Sequence, residues 1–217
     1  MKIELWCDII CPFCGLNEHR LENALAEFEH GADVQVLHRS FQVHPELDRV
    51  GVTQRDLILM RGLDPEKVEK NILEPIEQAA KREGLVPYRV IDRTLGPTDY
   101  AHELLAYASD NGLHSESWKH IFRAHFGTAQ RLWTIDEVID FAAELDLDLV
   151  ETRLVLQSGR YREQVKNDQR EAQRLGANGT PFMLIDRKHP VSTALNTYEL
   201  LSILRSAWRD LRIQPLI

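Results

Sequence analysis

The chain has 217 residues, 43% of them hydrophobic, enough for one large domain or a domain carrying an insertion, and too apolar for wholesale disorder. Its 26 basic and 34 acidic residues leave a net charge of −8, which argues against a nucleic-acid partner. Charges at Lys2, Glu4 and Asp8 interrupt the apolar core that a secretory signal needs, and no apolar run approaches the ~20 residues of a membrane span, so a cytoplasmic protein without a membrane partner is expected.

Residues 2–7 alternate in character and favour a strand. From Cys11-Pro12 a helical pattern runs through Leu16, Leu21, Leu25 and Phe28, with Pro12 suited to the first turn and Gly31 read as the stop. Residues 34–39 alternate again as a second strand, and a helical crossover of this length joins parallel strands. From Thr53 to Leu175 the pattern is almost wholly helical. Helix starts are marked at Thr53, at Asp64-Pro65 and after Pro97, a stop at Gly112, further helices at 115–126 and 134–145, and a break near Gly159. Strand character returns at 181–186 and near Pro190-Val191, followed by a helix around 197–211. The expected architecture is therefore α/β: a β-α-β start and a β-β-α end, residues 1–50 and 176–217, interrupted by an inserted helical subdomain at 51–175.

Three cysteines, at 7, 11 and 14, are the only ones in the chain. Such clustering suits catalysis or metal binding better than a structural disulfide framework. Cys11 and Cys14 lie one helical turn apart and can close a disulfide, and Cys11 sits where free N–H groups and the helix dipole favour a thiolate. Cys11 is thus read as the attacking thiol and Cys14, a turn deeper, as the resolving one. Cys7 reads as a small buried core residue, and Phe13 as an exposed apolar contact for substrate. Trp118, Phe122, Phe126 and Trp133 read as packing aromatics, the run Glu144–Glu151 as a solvated helix boundary, and His38 and His44 as surface or satisfied polar residues. Two other uses of the cysteines stay open on spacing alone. Cys7, Cys11 and Cys14 could hold an iron–sulfur cluster in a radical S-adenosylmethionine enzyme, although β/α repeats are missing. A zinc site would need His19 or His38 as a fourth ligand.

A second signal is Gly179-Thr180-Pro181-Phe182 ahead of a strand, which resembles the loop that faces the Cys-x-x-Cys in thioredoxin folds. Asp8-Ile-Ile-Cys-Pro-Phe-Cys14, Arg20-Leu-Glu-Asn-Ala-Leu25, Phe41-Gln-Val-His-Pro45, Ala101-His-Glu-Leu-Leu105 and Gly179–Asp186 together resemble the DsbA family, in its FrnE-like cytoplasmic branch. The resemblance implies a thioredoxin fold with a helical insert and a cis Thr180–Pro181 bond. It also implies a thiol–disulfide oxidoreductase or isomerase with Cys11 and Cys14 catalytic and Pro12, Phe13, Thr180 and Pro181 facing substrate. The two sulfurs carry the electrons, so no cofactor or metal is expected. The partners expected are protein or peptide disulfides and thiols, with glutathione and a homodimer left open. Three departures stand out. Pro12-Phe13 lacks the histidine of strongly oxidising periplasmic members, which implies a milder oxidant. Thr180 stands where many relatives of the branch have valine. Val191–Asn196 replaces a Ser-Gly-Ala-Gln-Pro-like turn. The remaining alternatives are a glutathione-dependent isomerase or transferase on the same fold, and a redox sensor or chaperone that does not turn over.

Overall fold

The structure, a computed structural model, describes residues 1–191 and 195–213, the last two as backbone only; residues 192–194 of the unusual Val191–Asn196 turn lie outside the described residues. In β1 (Lys2–Cys7) the alternation of a pleated strand sends Ile3, Leu5 and Cys7 into one core and Trp6 into another. α1 (Pro12–Glu27) starts on Cys11 as its N-cap and on Pro12, whose fixed φ and missing N–H suit a first turn. The helix ends at Phe28 rather than at Gly31. Glycine is needed at 31 for another reason. The chain crosses the helix end so closely there that a Cβ would lie 2.1 Å from the Leu25 carbonyl oxygen. β2 (Gln35–Ser40) returns parallel to β1, pairing Cys7 with Ser40.

The insertion follows, with β3 (Val52–Thr53), α2 (Gln54–Met60), α3 (Pro65–Val68), α4 (Glu74–Arg82), β4 (Thr94–Leu95), α5 (Asp99–Asp110) and α6 (His114–Phe122). After them come α7 (Ile135–Ala143), α8 (Leu149–Ser158) and α9 (Arg162–Arg174). The starts follow from local chemistry. Thr53, Asp64 and Asp148 accept first-turn N–H groups, and Thr134 with Glu137 forms a capping box. Gly159, at φ +65°, separates α8 from α9. The β3–β4 ribbon, in which Val52 faces Leu95, is not expected from the sequence, because two-residue strands carry no readable period. α9 lies across β1 and β2 and also meets α5, so the segment up to the expected boundary at 175/176 touches both sheet and insert.

β5 (Phe182–Ile185) runs antiparallel to β1, β6 (His189–Val191) antiparallel to β5, and α10 (Thr197–Ile213) packs beside α1. The sheet order is β2-β1-β5-β6, the β-α-β and β-β-α halves joined through β1 and β5. Among the described residues no helix is long and apolar enough to cross a membrane.

β2 is an edge strand, and side chains close part of that edge. The His38 N–H donates to His114 Nε2 at 2.9 Å and the Ser40 N–H to Asp168 Oδ2 at 3.1 Å. Since His114 Nε2 accepts, its Nδ1 carries the proton and faces Ser109 Oγ at 2.7 Å, while Ser109 donates to the Leu105 carbonyl. Burial, then the neighbouring His38, pushes His114 down from 6.5 to about 4. His38 itself is buried and meets Glu18 at 2.7 Å, a satisfied polar residue. Burial pushes Glu18 up, but His38 outweighs it and holds the carboxyl below 4.5. Both folded values lie below the unfolded ones, so both groups stabilise the fold at neutral pH and lose that contribution as pH falls. The urea midpoint is expected to drop between pH 6.5 and 4 as unfolded chains take up the His114 proton first. His114→Gln should make this interval shallower by about one proton's worth of slope, the buried His125 supplying the rest, and an unchanged profile in the variant would assign the drop elsewhere.

Candidate redox site

Antiparallel pairing of β1 with β5 brings the end of one and the start of the other to the same end of the sheet. Trp6 faces Phe182 in register, their rings 5.5 Å apart, so the loop after Cys7 and the loop before Phe182 meet. The Thr180–Pro181 bond is cis, as expected. The Cys11 thiol donates to the Thr180 carbonyl at 3.4 Å across 169 residues of sequence. All three cysteines are free thiols. Cys11 is 7% exposed, Cys14 fully buried, and Phe13 between them stands out at 38%.

The loop is gripped from both sides. Arg93 donates to the Ile10 carbonyl at 2.7 Å and Tyr88 to the Pro12 carbonyl, so two insert residues hold the carbonyls of both neighbours of Cys11. Arg93 is itself fixed by Gln54 Oε1 at 2.9 Å and by the Val90 carbonyl, and sits over the Phe126 ring. Burial lowers it from 12.5 to about 10, still a cation at neutral pH. Its neighbour His125 is pushed down to about 3 by burial and by Arg93, so this imidazole is neutral and accepts at Nε2. Tyr88 stacks on Phe126 and fills the space above Gly15, where a Cβ would lie 2.6 Å from its hydroxyl. Gly15→Ala is therefore expected to displace Tyr88 and cost about 1–3 kcal/mol in urea unfolding through overpacking. A neutral result would show that Tyr88 does not bear on the loop.

Below the loop, Asp8 and His102 are both fully buried and 3.4 Å apart. Asp8 Oδ2 accepts from the Val43 N–H at 2.6 Å, while Oδ1 and both ring nitrogens of His102 lack a hydrogen-bond partner. Both residues lie within the segments that suggested the family, yet nothing in their spacing pairs them. Tyr88 and Arg93 had no sequence signal at all.

The electrostatics correct one expectation. Both thiols are pushed well above 9.0: Cys11 by its hydrogen bond with Cys14 and by burial, Cys14 by burial first. The Thr180 side chain and the Cys14 backbone favour a Cys11 thiolate but are outweighed. A helix N-terminus stabilises a thiolate only as far as burial and a second thiol allow. Beside Cys11 opens a cleft of about 320 Å³, bordered by Pro12, Gln54, Leu57, Arg93 and Thr180. A roomier one of about 570 Å³ follows the β2 edge by His114 and Asp168 and contains no cysteine, so chemistry rather than volume selects the site. Phe126 and Trp133 are buried in the core, as are Trp118 and Phe122. Among the described residues no group of three or more His, Cys, Asp or Glu could hold a metal ion. His19 and His38, the fourth ligands considered for zinc, are engaged with the Glu83 carbonyl and Glu18.

Known proteins place this geometry. A structure named as a probable DsbA oxidoreductase from Streptomyces coelicolor is 33% identical, covers 100% of this chain and 93% of its own, and superposes with a TM-score of 0.90. The cytosolic disulfide reductase DsbM of Pseudomonas aeruginosa, solved with GSH, shares the fold at 17% identity and a TM-score of 0.65, with 96% and 100% of the two chains covered. The oxidoreductase DsbA of Xylella fastidiosa does so at 13% and 0.59, with 97% and 86% covered. No curated protein matches the chain. With residues 2–202 matching its sequence pattern, the chain belongs to the DSBA-like thioredoxin domain family.

Proposed function

We propose that the protein is a cytoplasmic thiol–disulfide oxidoreductase acting on protein or peptide disulfides through Cys11 and Cys14. The observation that carries the reading is the Cys11 thiol at the edge of a cleft, against the Thr180 carbonyl, with a buried second thiol in contact behind it. In the reducing direction the Cys11 thiolate attacks a substrate disulfide, forms a mixed disulfide and releases one substrate thiolate. Cys14 then attacks Cys11 Sγ, closes the Cys11–Cys14 bond and releases the second thiolate. Phe13 and the loop at Thr180-Pro181 offer apolar and backbone contacts to an extended peptide. The insert, which borders the cleft with Gln54, Leu57 and Arg93, is proposed to select substrates.

The raised thiol values bear on direction. A strong oxidant has a reduced form stabilised as thiolate, and here that stabilisation is outweighed. A potential nearer thioredoxin, at about −270 mV, than periplasmic DsbA, at about −120 mV, is therefore expected. The DsbM neighbour, named a cytosolic disulfide reductase, is consistent with this reading and with the location. Insulin reduction and oxidative refolding, both run with the wild-type protein, test it. Faster insulin reduction supports the reading, and no turnover in either assay defeats it.

A further inference from the structure

Cys7 is the one thiol the proposed reaction leaves unused. Strand alternation points it, with Ile3 and Leu5, into the core that α1 covers, and Cys14 enters the same core from the first turn of α1. Both are fully buried, and their thiols are in hydrogen-bond contact. Cys14 also contacts Cys11, so it is the one sulfur in contact with both of the others. Packing alone explains a buried cysteine. It does not account for a thiol resting on the sulfur that the reaction oxidises.

We propose that Cys7 is a third redox-active thiol, which takes Cys14 into a Cys7–Cys14 disulfide and returns Cys11 to the free thiol. The inference rests on the reaction proposed above. Starting from the Cys11–Cys14 disulfide, the Cys7 thiolate attacks Cys14 Sγ. The Cys7–Cys14 bond forms, the Cys11–Cys14 bond breaks, and Cys11 leaves as a thiolate that takes up the proton Cys7 has lost. Nothing is oxidised or reduced overall, so no further reactant is needed; the oxidising equivalent moves one sulfur inward. Attack falls on Cys14 rather than Cys11 because Cys14 is the sulfur that Cys7 touches. Burial pushes the Cys7 thiol up, so its thiolate is scarce and exchange is slow beside resolution by Cys14. The relay therefore acts on resting oxidised protein. An oxidised molecule in this state keeps a nucleophile at the cleft and can attack a second disulfide, as an isomerase must.

The test is disulfide mapping of native protein. Wild type is oxidised with oxidised glutathione, quenched in acid, alkylated under denaturing conditions and digested. Cys11→Ser is oxidised with diamide and treated alike. The expected results are a wild-type fraction with Cys11 alkylated and Cys7 linked to Cys14, and an intramolecular Cys7–Cys14 link in Cys11→Ser that disappears in Cys7→Ser/Cys11→Ser. Finding only Cys11–Cys14 in the wild type, with Cys7 and Cys14 both alkylated in oxidised Cys11→Ser, would overturn the relay and leave the main reaction standing. Failure of Cys11 and Cys14 to bond in the wild type would instead strike the reaction itself.

Discussion

Cys11→Ser is expected to lose insulin-reducing turnover by on the order of 10³-fold or more, because it removes the nucleophile while leaving fold and cleft in place. Serine is close in shape, and its hydroxyl can repeat the hydrogen bond that Cys11 makes to the Thr180 carbonyl. The loss should therefore appear with an unchanged urea midpoint. Cys14→Ser separates the two steps. Cys11 still attacks, but nothing resolves the product, so covalent adducts with substrate should accumulate and be visible on a non-reducing gel. The buried position of Cys14 keeps it out of reach of incoming chains, so it cannot stand in for the missing thiol of Cys11→Ser. Retained activity in Cys11→Ser would exclude the mechanism, and adducts carried by Cys14 in that variant would reverse the assignment.

Trp6→Ala should be the most damaging core change near the site, lowering stability by about 3–5 kcal/mol. The indole is fully buried on the face of the sheet away from α1. It packs against Phe182 and donates its ring N–H to the Asp168 carbonyl at 2.8 Å. One side chain thus ties β1 to the strand that follows Pro181 and to the helix that backs the sheet. Its removal leaves a cavity and takes a donor from the Asp168 carbonyl, and it frees the first residue of β5. Activity should fall along with the urea midpoint, whereas Trp6→Phe should recover most of the stability. A loss under ~1 kcal/mol in Trp6→Ala would mean that Phe182 and α9 close the gap.

Local chemistry made much of the fold legible. Thr53, Asp64 and Thr134 announce helix starts because a capping oxygen and its N–H lie within three residues. Gly159 and Gly112 end helices through a backbone conformation that favours glycine. The helix end at Phe28 was not legible, because the requirement for glycine at 31 comes from a crossing over Leu25 rather than from a turn. In the site, the two cysteines were visible as a motif, and Thr180-Pro181 through resemblance to a known loop. Arg93 and Tyr88 were invisible for a physical reason: they bind backbone carbonyls, which every residue carries, so no pairing of residue types points to them. The raised thiol values were likewise out of reach. The sequence exposes the helix terminus beside Cys11, and burial appears only when Thr180 and the insert close over it.

The grip on the loop has a consequence for how the protein acquires its chemistry during synthesis. Both thiols emerge ahead of the residues that hold them: the carbonyls on either side of Cys11 find their donors only when Tyr88 and Arg93 have followed, and Cys11 meets Thr180 later still. A nascent chain therefore carries two ordinary cysteines rather than a working pair. Folding supplies placement, and a truncated or misfolded copy holds the motif without the means to present it.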